Sequence, residues 1–190
     1  TVENAVSRIT SAPVKVTASG RTDEGVHALG QVAHFDCANE LPCDRMKAAL
    51  NHWLPEDVRV TACEAASDDF DARKSAKRKT YVYRFYVSDT ESPLRRTREC
   101  YGGTALDVDA MNEGARLFVG THDFAAFMSS GSSAKTSVRT IYDASVTRDG
   151  ASVVFSVTGN GFLYNMVRIM AGALLAVGKG GDLSRIKRAL

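Results

Sequence analysis

The stretch Gly161 to Gly178, GFLYNMVRIMAGALLAVG, constrains the fold more than any other. Its apolar residues run nearly all the way round a helical wheel, so a helix formed here must be covered on most of its surface. The rest of the chain has to supply that cover. A bilayer is rejected as the cover, because the span is marginal in length and Arg168 stands in its middle. Arginine does not lose its proton in a protein, and a buried guanidinium is costly unless a carboxylate or several acceptors satisfy it. Tyr164, Gly172 and Leu175 share its side of the helix and offer no wet surface. The pattern therefore predicts a buried Arg168 with an acidic partner.

Partners for such a helix are legible on both sides. Val2, Ala5, Val6 and Ile9 recur at helical spacing within 1–11. Short strands are expected over 13–18 and 31–35, then a helix from Pro42 to Trp53, stopped at Leu54-Pro55. Strands follow at Val58–Ala62 and Lys79–Val87. Asp107 is a candidate N-cap for a helix running to Val119. Val138–Thr147 and Ser152–Thr158, with a turn at Asp149-Gly150, predict a hairpin, and Gly178, Gly180 and Gly181 end the apolar helix. Helices mixed with antiparallel strands give an α+β fold in two similar halves, 1–90 and 104–190, joined by a polar, arginine-rich connection at 91–103.

With 190 residues, 44% of them apolar and 24% charged, the chain can bury a good core as a soluble protein, and the net charge of +2 selects no partner. Cys37, Cys43, Cys63 and Cys100 form no CxxC and lack the intervals of a zinc site, so they read as mostly buried thiols of a cytosolic protein. The charge is uneven, however. Between Arg73 and Arg98 nine basic residues face only Asp89 and Glu91, a local charge of +7. A solvated face would explain the run alone, but KTYVYRFYV interleaves Tyr81, Tyr83, Phe85 and Tyr86 with Arg84. Cations neutralise phosphates and aromatic rings offer faces to unpaired bases, although strand alternation turns some of these rings inward.

The stretch from Thr17 to Asp36, TASGRTDEGVHALGQVAHFD, holds three acids, two histidines, an arginine and three glycines in and around the turn between two short strands. Taken locally, Gly20, Asp23 and Gly25 suit a turn, and His34 suits a structural role in a strand. Asp23 and His27 also invite a metal reading, but two ligands without a third support it weakly.

GRTDEGVHALGQVAHF resembles the signature loop of the TruA-type tRNA pseudouridine synthases. FDARKSAKRKTYVYRFYV, GTHDFAAF, SVRTIYDASV and GFLYNMVRIMAG resemble the same family in the same order and span most of the chain. The resemblance implies two α/β halves sharing an extended antiparallel sheet, with helices on one face and a basic cleft between the halves. It further implies a cytoplasmic homodimer, needing neither metal nor cofactor, that acts on uridines of the tRNA anticodon arm. Carried over by position, Asp23 is the catalytic nucleophile and Arg168 the arginine that pairs with it. Arg21 is associated with extruding the target base, and Tyr81 packs against the extruded uracil. Lys77, Arg78 and Lys79, in the basic stripe, are expected to hold phosphates.

The chemistry suits those residue types. Pseudouridine forms when the C1′–N1 bond breaks, the base turns, and C5 bonds to C1′. An ionised carboxylate can serve as a covalent nucleophile, or assist loss of the base and removal of the C5 proton. Relative to the family pattern the chain starts at the first helix, without the preceding strand and its YDG…GWQ loop, and stops before a final strand. Lys74 stands where an aromatic is commoner, and Glu24 where a small residue is. Two other readings are a catalytically silent RNA-binding module and, last, a metal-dependent hydrolase built on Asp23 and His27.

Overall fold

Ala5, Val6 and Ile9 bury one side of the expected first helix, α1, which spans Val2–Thr10 in the computed structural model of the chain. The structure describes residues 1–38, 41–131 and 134–190. Its contacts divide it into two units, Thr1–Ala76 and Lys77–Leu190.

In the first unit α1 packs against α2, Cys43–Trp53. Ala5, Val6, Met46, Leu50 and Leu54 form a small core, flanked by Val16, Phe35, Val58 and Val60. Leu54 ends α2 in an extended conformation just ahead of Pro55, as the residue before a proline should. Two very short strands, β1 (Thr17–Ala18) and β2 (Ala33–His34), pair antiparallel, with Thr17 opposite His34. Both are shorter than expected: ahead of β1 the Val14 and Val16 N–H groups donate to the Ser7 and Glu3 side chains of α1, at 3.1 and 3.0 Å, and not to a strand. The strand expected at Val58–Ala62 joins no sheet. Val60 instead exchanges both of its backbone bonds with the Asn51 side chain, at 2.9 and 2.8 Å, so a helix-borne amide replaces a neighbouring strand.

The second unit is built on a five-stranded sheet in the order β4-β3-β7-β6-β5. The strands are β3 (Lys79–Tyr86), β4 (Cys100–Tyr101), β5 (Gly120–Asp123), β6 (Val138–Asp149) and β7 (Ser152–Gly159). All neighbours are antiparallel except β3 and β4, so the sheet is mixed, not the expected antiparallel one. The predicted hairpin is β6–β7, turning through Gly150 at φ +58°. Asp107 caps α3 (Val108–Leu117) by accepting from the Ala110 N–H at 2.9 Å. The short strands β4 and β5 and the last helix, α5 (Ser184–Ala189), carry no strong periodicity and were not expected.

Strand β3 pairs along its whole length with β7. It therefore belongs to the second unit, although the sequence places it in the half 1–90. Phe85, Val153, Phe155, Val157, Ala144 and Val146 are buried with α3 and with α4, Met166–Gly178. The opposite side of β3, with Val82 and Arg84, is exposed. Some of the rings of KTYVYRFYV are indeed core: Phe85 and Tyr86 are buried, while Tyr81 and Tyr83 are half-buried.

The apolar helix departs most from expectation. Residues Gly161–Asn165 are not helical, and Asn165 takes a left-handed conformation (φ +57°) before α4 begins at Met166. Arg168 thus lies in the first turn, not mid-helix, and it is exposed, not buried. Met166, Met170, Leu174 and Val177 face the core, leaving Arg168, Gly172 and Ala176 on an open stripe. The extra apolar content of the helix is small side chains, which do not demand cover.

Candidate active site

In the first unit, the loop joining β1 to β2 carries Arg21, Asp23 and His27, all three exposed. Hydrogen bonds close its base. Ser19 N–H donates to the Val32 carbonyl at 2.8 Å. Gln31 receives the Ser19 hydroxyl at 2.5 Å and donates its amide to the Gly20 carbonyl at 2.6 Å. At the apex, Val26 N–H donates to the Asp23 carbonyl at 3.1 Å, and Gly25 supplies the positive φ of +78° that this turn requires. The turn reading and the reactive-carboxylate reading are therefore compatible: the turn presents the Asp23 side chain to solvent on a clasped loop.

The strand leaving the loop is anchored in turn. His34 accepts the Ala72 N–H on Nδ1 at 3.0 Å and meets Phe70 edge-on at 5.9 Å, the structural role expected of it. Next to it, Asp71 closes a turn by accepting from Arg73 N–H (2.9 Å) and Lys74 N–H (2.8 Å). Those bonds, the one from Lys74 foremost, hold the Asp71 carboxyl below the usual carboxylate range. This turn lies at the end of the first unit and holds Arg73 and Lys74, the first two cations of the basic stretch.

In the second unit Lys77 and Arg78 are exposed and Lys79, which opens β3, is half-buried. Lys74 and Arg95 are engaged in structure. Lys74 reaches Asp71 at 3.7 Å. Arg95 binds Glu99 at 3.1 Å and lies over the Tyr86 ring at 5.2 Å. Glu99 falls one residue beyond the stretch that suggested +7, and its Oε2 also receives the Ser152 hydroxyl, at 3.2 Å.

Tyr81 lies two residues into β3 and meets Phe162 in a T-shaped contact, 5.0 Å between centroids and 76° between planes. Phe162, in the non-helical lead to α4, was not singled out from the sequence, and its position in GFLYN was the available signal. Tyr83 is on the same face of β3. Burial pushes its phenol up, the Cys100 thiol adds to the rise, and the Arg168 guanidinium opposes it. Arg168, Tyr83 and Cys100 therefore share one neighbourhood, at the start of α4 beside β3. A cation in the first turn of a helix faces the positive end of the helix dipole, where an anion is favoured. Among the described residues, no group of three or more His, Cys, Asp and Glu could hold a metal ion, so Asp23 and His27 gain no third ligand.

A family profile described as tRNA pseudouridine synthase matches residues 1–73 and 115–190. A tRNA pseudouridine synthase A from Acetivibrio thermocellus is 48% identical over 180 residues, covering 95% of this chain and 74% of the relative. Those from Exiguobacterium sp. and Limosilactobacillus reuteri are 44% and 45% identical, covering 94% and 100% of this chain and 72% and 77% of the relatives. This chain belongs to the tRNA pseudouridine synthase family. The first matched segment holds Arg21 and Asp23 and the second holds Phe162 and Arg168. Tyr81 and the Lys77–Lys79 triplet lie between the segments that the synthase profile matches, but within the span of the Limosilactobacillus relative, which covers the whole chain.

Proposed function

We infer that the chain is an isomerase that converts uridine to pseudouridine in tRNA, in the anticodon arm, with Asp23 as its nucleophile. The observation that carries this reading is an exposed carboxylate on a hydrogen-bond-clasped loop inside a matched family segment. Arg168 is the paired cation: a guanidinium in the first turn of α4 favours an anion in front of it, whether the Asp23 carboxylate or the departing base. Tyr81, held edge-on by Phe162, offers a ring for the extruded uracil, and Arg21 fills the gap left in the stack. Lys77, Arg78 and Lys79 hold the phosphates. The working enzyme is a cytoplasmic homodimer in which the two halves flank a basic cleft, and it uses neither metal nor cofactor. No described helix is long and apolar enough to cross a membrane.

The test is release of tritium from C5-labelled uridine in tRNA. Asp23→Asn keeps the shape and removes the nucleophilic charge, so turnover should vanish while tRNA affinity stays within about a few-fold, since phosphate contacts dominate affinity. Substantial turnover by the purified variant would remove Asp23 from the chemistry. Tight binding without release by the unmodified chain would favour the silent RNA-binding module, and loss of release on adding chelator would favour the metal reading.

A further inference from the structure

The lead into α4 is held by a residue distant in sequence. Asn165 has a positive φ of +57°, a conformation that few residues other than glycine accept and that asparagine tolerates well. Its side-chain amide donates to the Ser129 hydroxyl at 3.1 Å. The Ser129 N–H donates to the Tyr164 carbonyl, also at 3.1 Å. Two bonds thus latch one serine to two consecutive residues, and both Ser129 and Asn165 are half-buried, where water competes poorly. Ser129 is itself fixed. It follows a 3-10 turn, Ala125–Phe127, and Phe124 and Phe127 in that turn are buried in the core of the second unit.

The latch lies where α4 begins. The Asn165 carbonyl accepts the Ile169 N–H at 3.0 Å, the bond that closes the first turn, and Arg168 sits inside that turn. Starting the helix one residue earlier would need Asn165 in the right-handed conformation and the Tyr164 carbonyl aimed at the Arg168 N–H. The latch opposes both, since it holds Asn165 left-handed and engages the Tyr164 carbonyl from Ser129. Further along, Met170 and Leu174 are fully buried and fix the body of α4. Arg168 is exposed, so the direction of its side chain depends on how its turn is held. We propose, on the reading of Arg168 as the paired cation of the site, that Ser129 and Asn165 are positioning residues for the isomerisation: their latch sets where α4 begins and so aims the Arg168 guanidinium. Neither residue has to touch the uridine, because both act through Arg168.

The experiment measures kcat and KM for tritium release from C5-labelled uridine in tRNA with the full chain, together with amide hydrogen exchange. Ser129→Ala removes the hydroxyl and leaves the backbone bond to Tyr164. Asn165→Gly removes the amide and keeps the left-handed backbone accessible. Losing one half-buried hydrogen bond predicts a kcat roughly 2–10-fold lower in each variant, with KM for tRNA unchanged because phosphate contacts dominate affinity. The double variant should be no slower than either single one, since both remove the same bond. Ser129→Thr keeps a hydroxyl and should retain kcat. In Ser129→Ala, exchange at the Ile169 N–H should quicken by a similar factor, while Leu174, deep in α4, keeps its protection. In an Arg168→Ala background, Ser129→Ala should lower the residual rate no further. An equal loss in that background would overturn the proposal, because the serine would then act by another route. So would unchanged kcat in both Ser129→Ala and Asn165→Gly beside a slow Arg168→Ala, a result that keeps Arg168 as the cation of the site. Full turnover by Arg168→Ala would instead remove Arg168 from the chemistry, and the proposal with it, whatever exchange at Ile169 shows.

Discussion

Replacing Gln31 by alanine tests whether the clasp at the base of the loop holds Asp23 in place. The change removes both side-chain bonds, the one from Ser19 and the one to the Gly20 carbonyl, and leaves the Ser19 N–H bonded to Val32. All three groups are near solvent, so their lost partners are partly replaced by water, and each bond contributes toward the low end of the usual range, about 0.5–1 kcal/mol. Together they give about 1–2 kcal/mol, a factor of roughly 5–30 in the equilibrium between closed and open loop. Amide hydrogen exchange reads this directly. Protection at Ser19 and Val26, whose N–H groups are bonded within the loop, should fall by that factor, while Leu50 in α2 keeps its protection. Turnover on tRNA should fall with loop closure, and binding should not, because phosphate contacts dominate affinity. Gln31→Glu keeps the acceptor for Ser19 and loses the donor to Gly20, so it should fall between the two. Protection at Ser19 that stays within about twofold of the parent would refute the clasp. Equal loss at Leu50 would show instead that the whole unit had been weakened.

Neutralising Lys77, Arg78 and Lys79 together should weaken binding to all tRNAs similarly and flatten the log–log salt dependence by roughly 0.7–0.9 per lost phosphate contact; an unchanged slope would make the stripe a solvated face. Tyr81→Ala should remove a stacking platform worth about 1–3 kcal/mol and lower turnover most, whereas Tyr81→Phe keeps the ring and its contact with Phe162. Asp71 has a carboxyl held below its unfolded value of 3.8, so the stability it contributes is present above that pH and is lost as the pH falls through the lower, folded value. Urea midpoints of Asp71→Ala and the parent should therefore differ at pH 6 and converge toward pH 3, and a constant gap would exclude the linkage. Phe155→Ala, at a fully buried position in β7, should cost about 3–5 kcal/mol in thermal or urea unfolding of the second unit.

Elements whose cause is local were legible. The spacing of Ala5, Val6 and Ile9, the proline stop after Trp53, the Asp107 cap and the Gly150 turn each act over a few residues, and each appears in the structure as expected. Around Asp23 only a turn was legible locally, marked by Gly25; its candidacy as a nucleophile came from the family resemblance, and the clasp by Gln31 was missed because a glutamine has no fixed local signature. The +7 count was read from a stretch ending at Arg98, so it could not show that Glu99 ties up Arg95.

What only tertiary structure decided were states that depend on residues distant in sequence. GTHD at Gly120–Asp123 is a strand because β6 offers it a ladder, and Val58–Ala62, with far better strand character, is not one because Asn51 satisfies Val60 first. Arg168 is exposed because Asn165 starts the helix late, which moves the cation into the first turn and onto the open stripe with Gly172 and Ala176. Sequence patterns report which surfaces must be buried, and they fix each element whose hydrogen bonds close within itself. Which partner supplies the remaining bonds, and where an open face is left, depends on side chains and strands that approach from elsewhere in the chain.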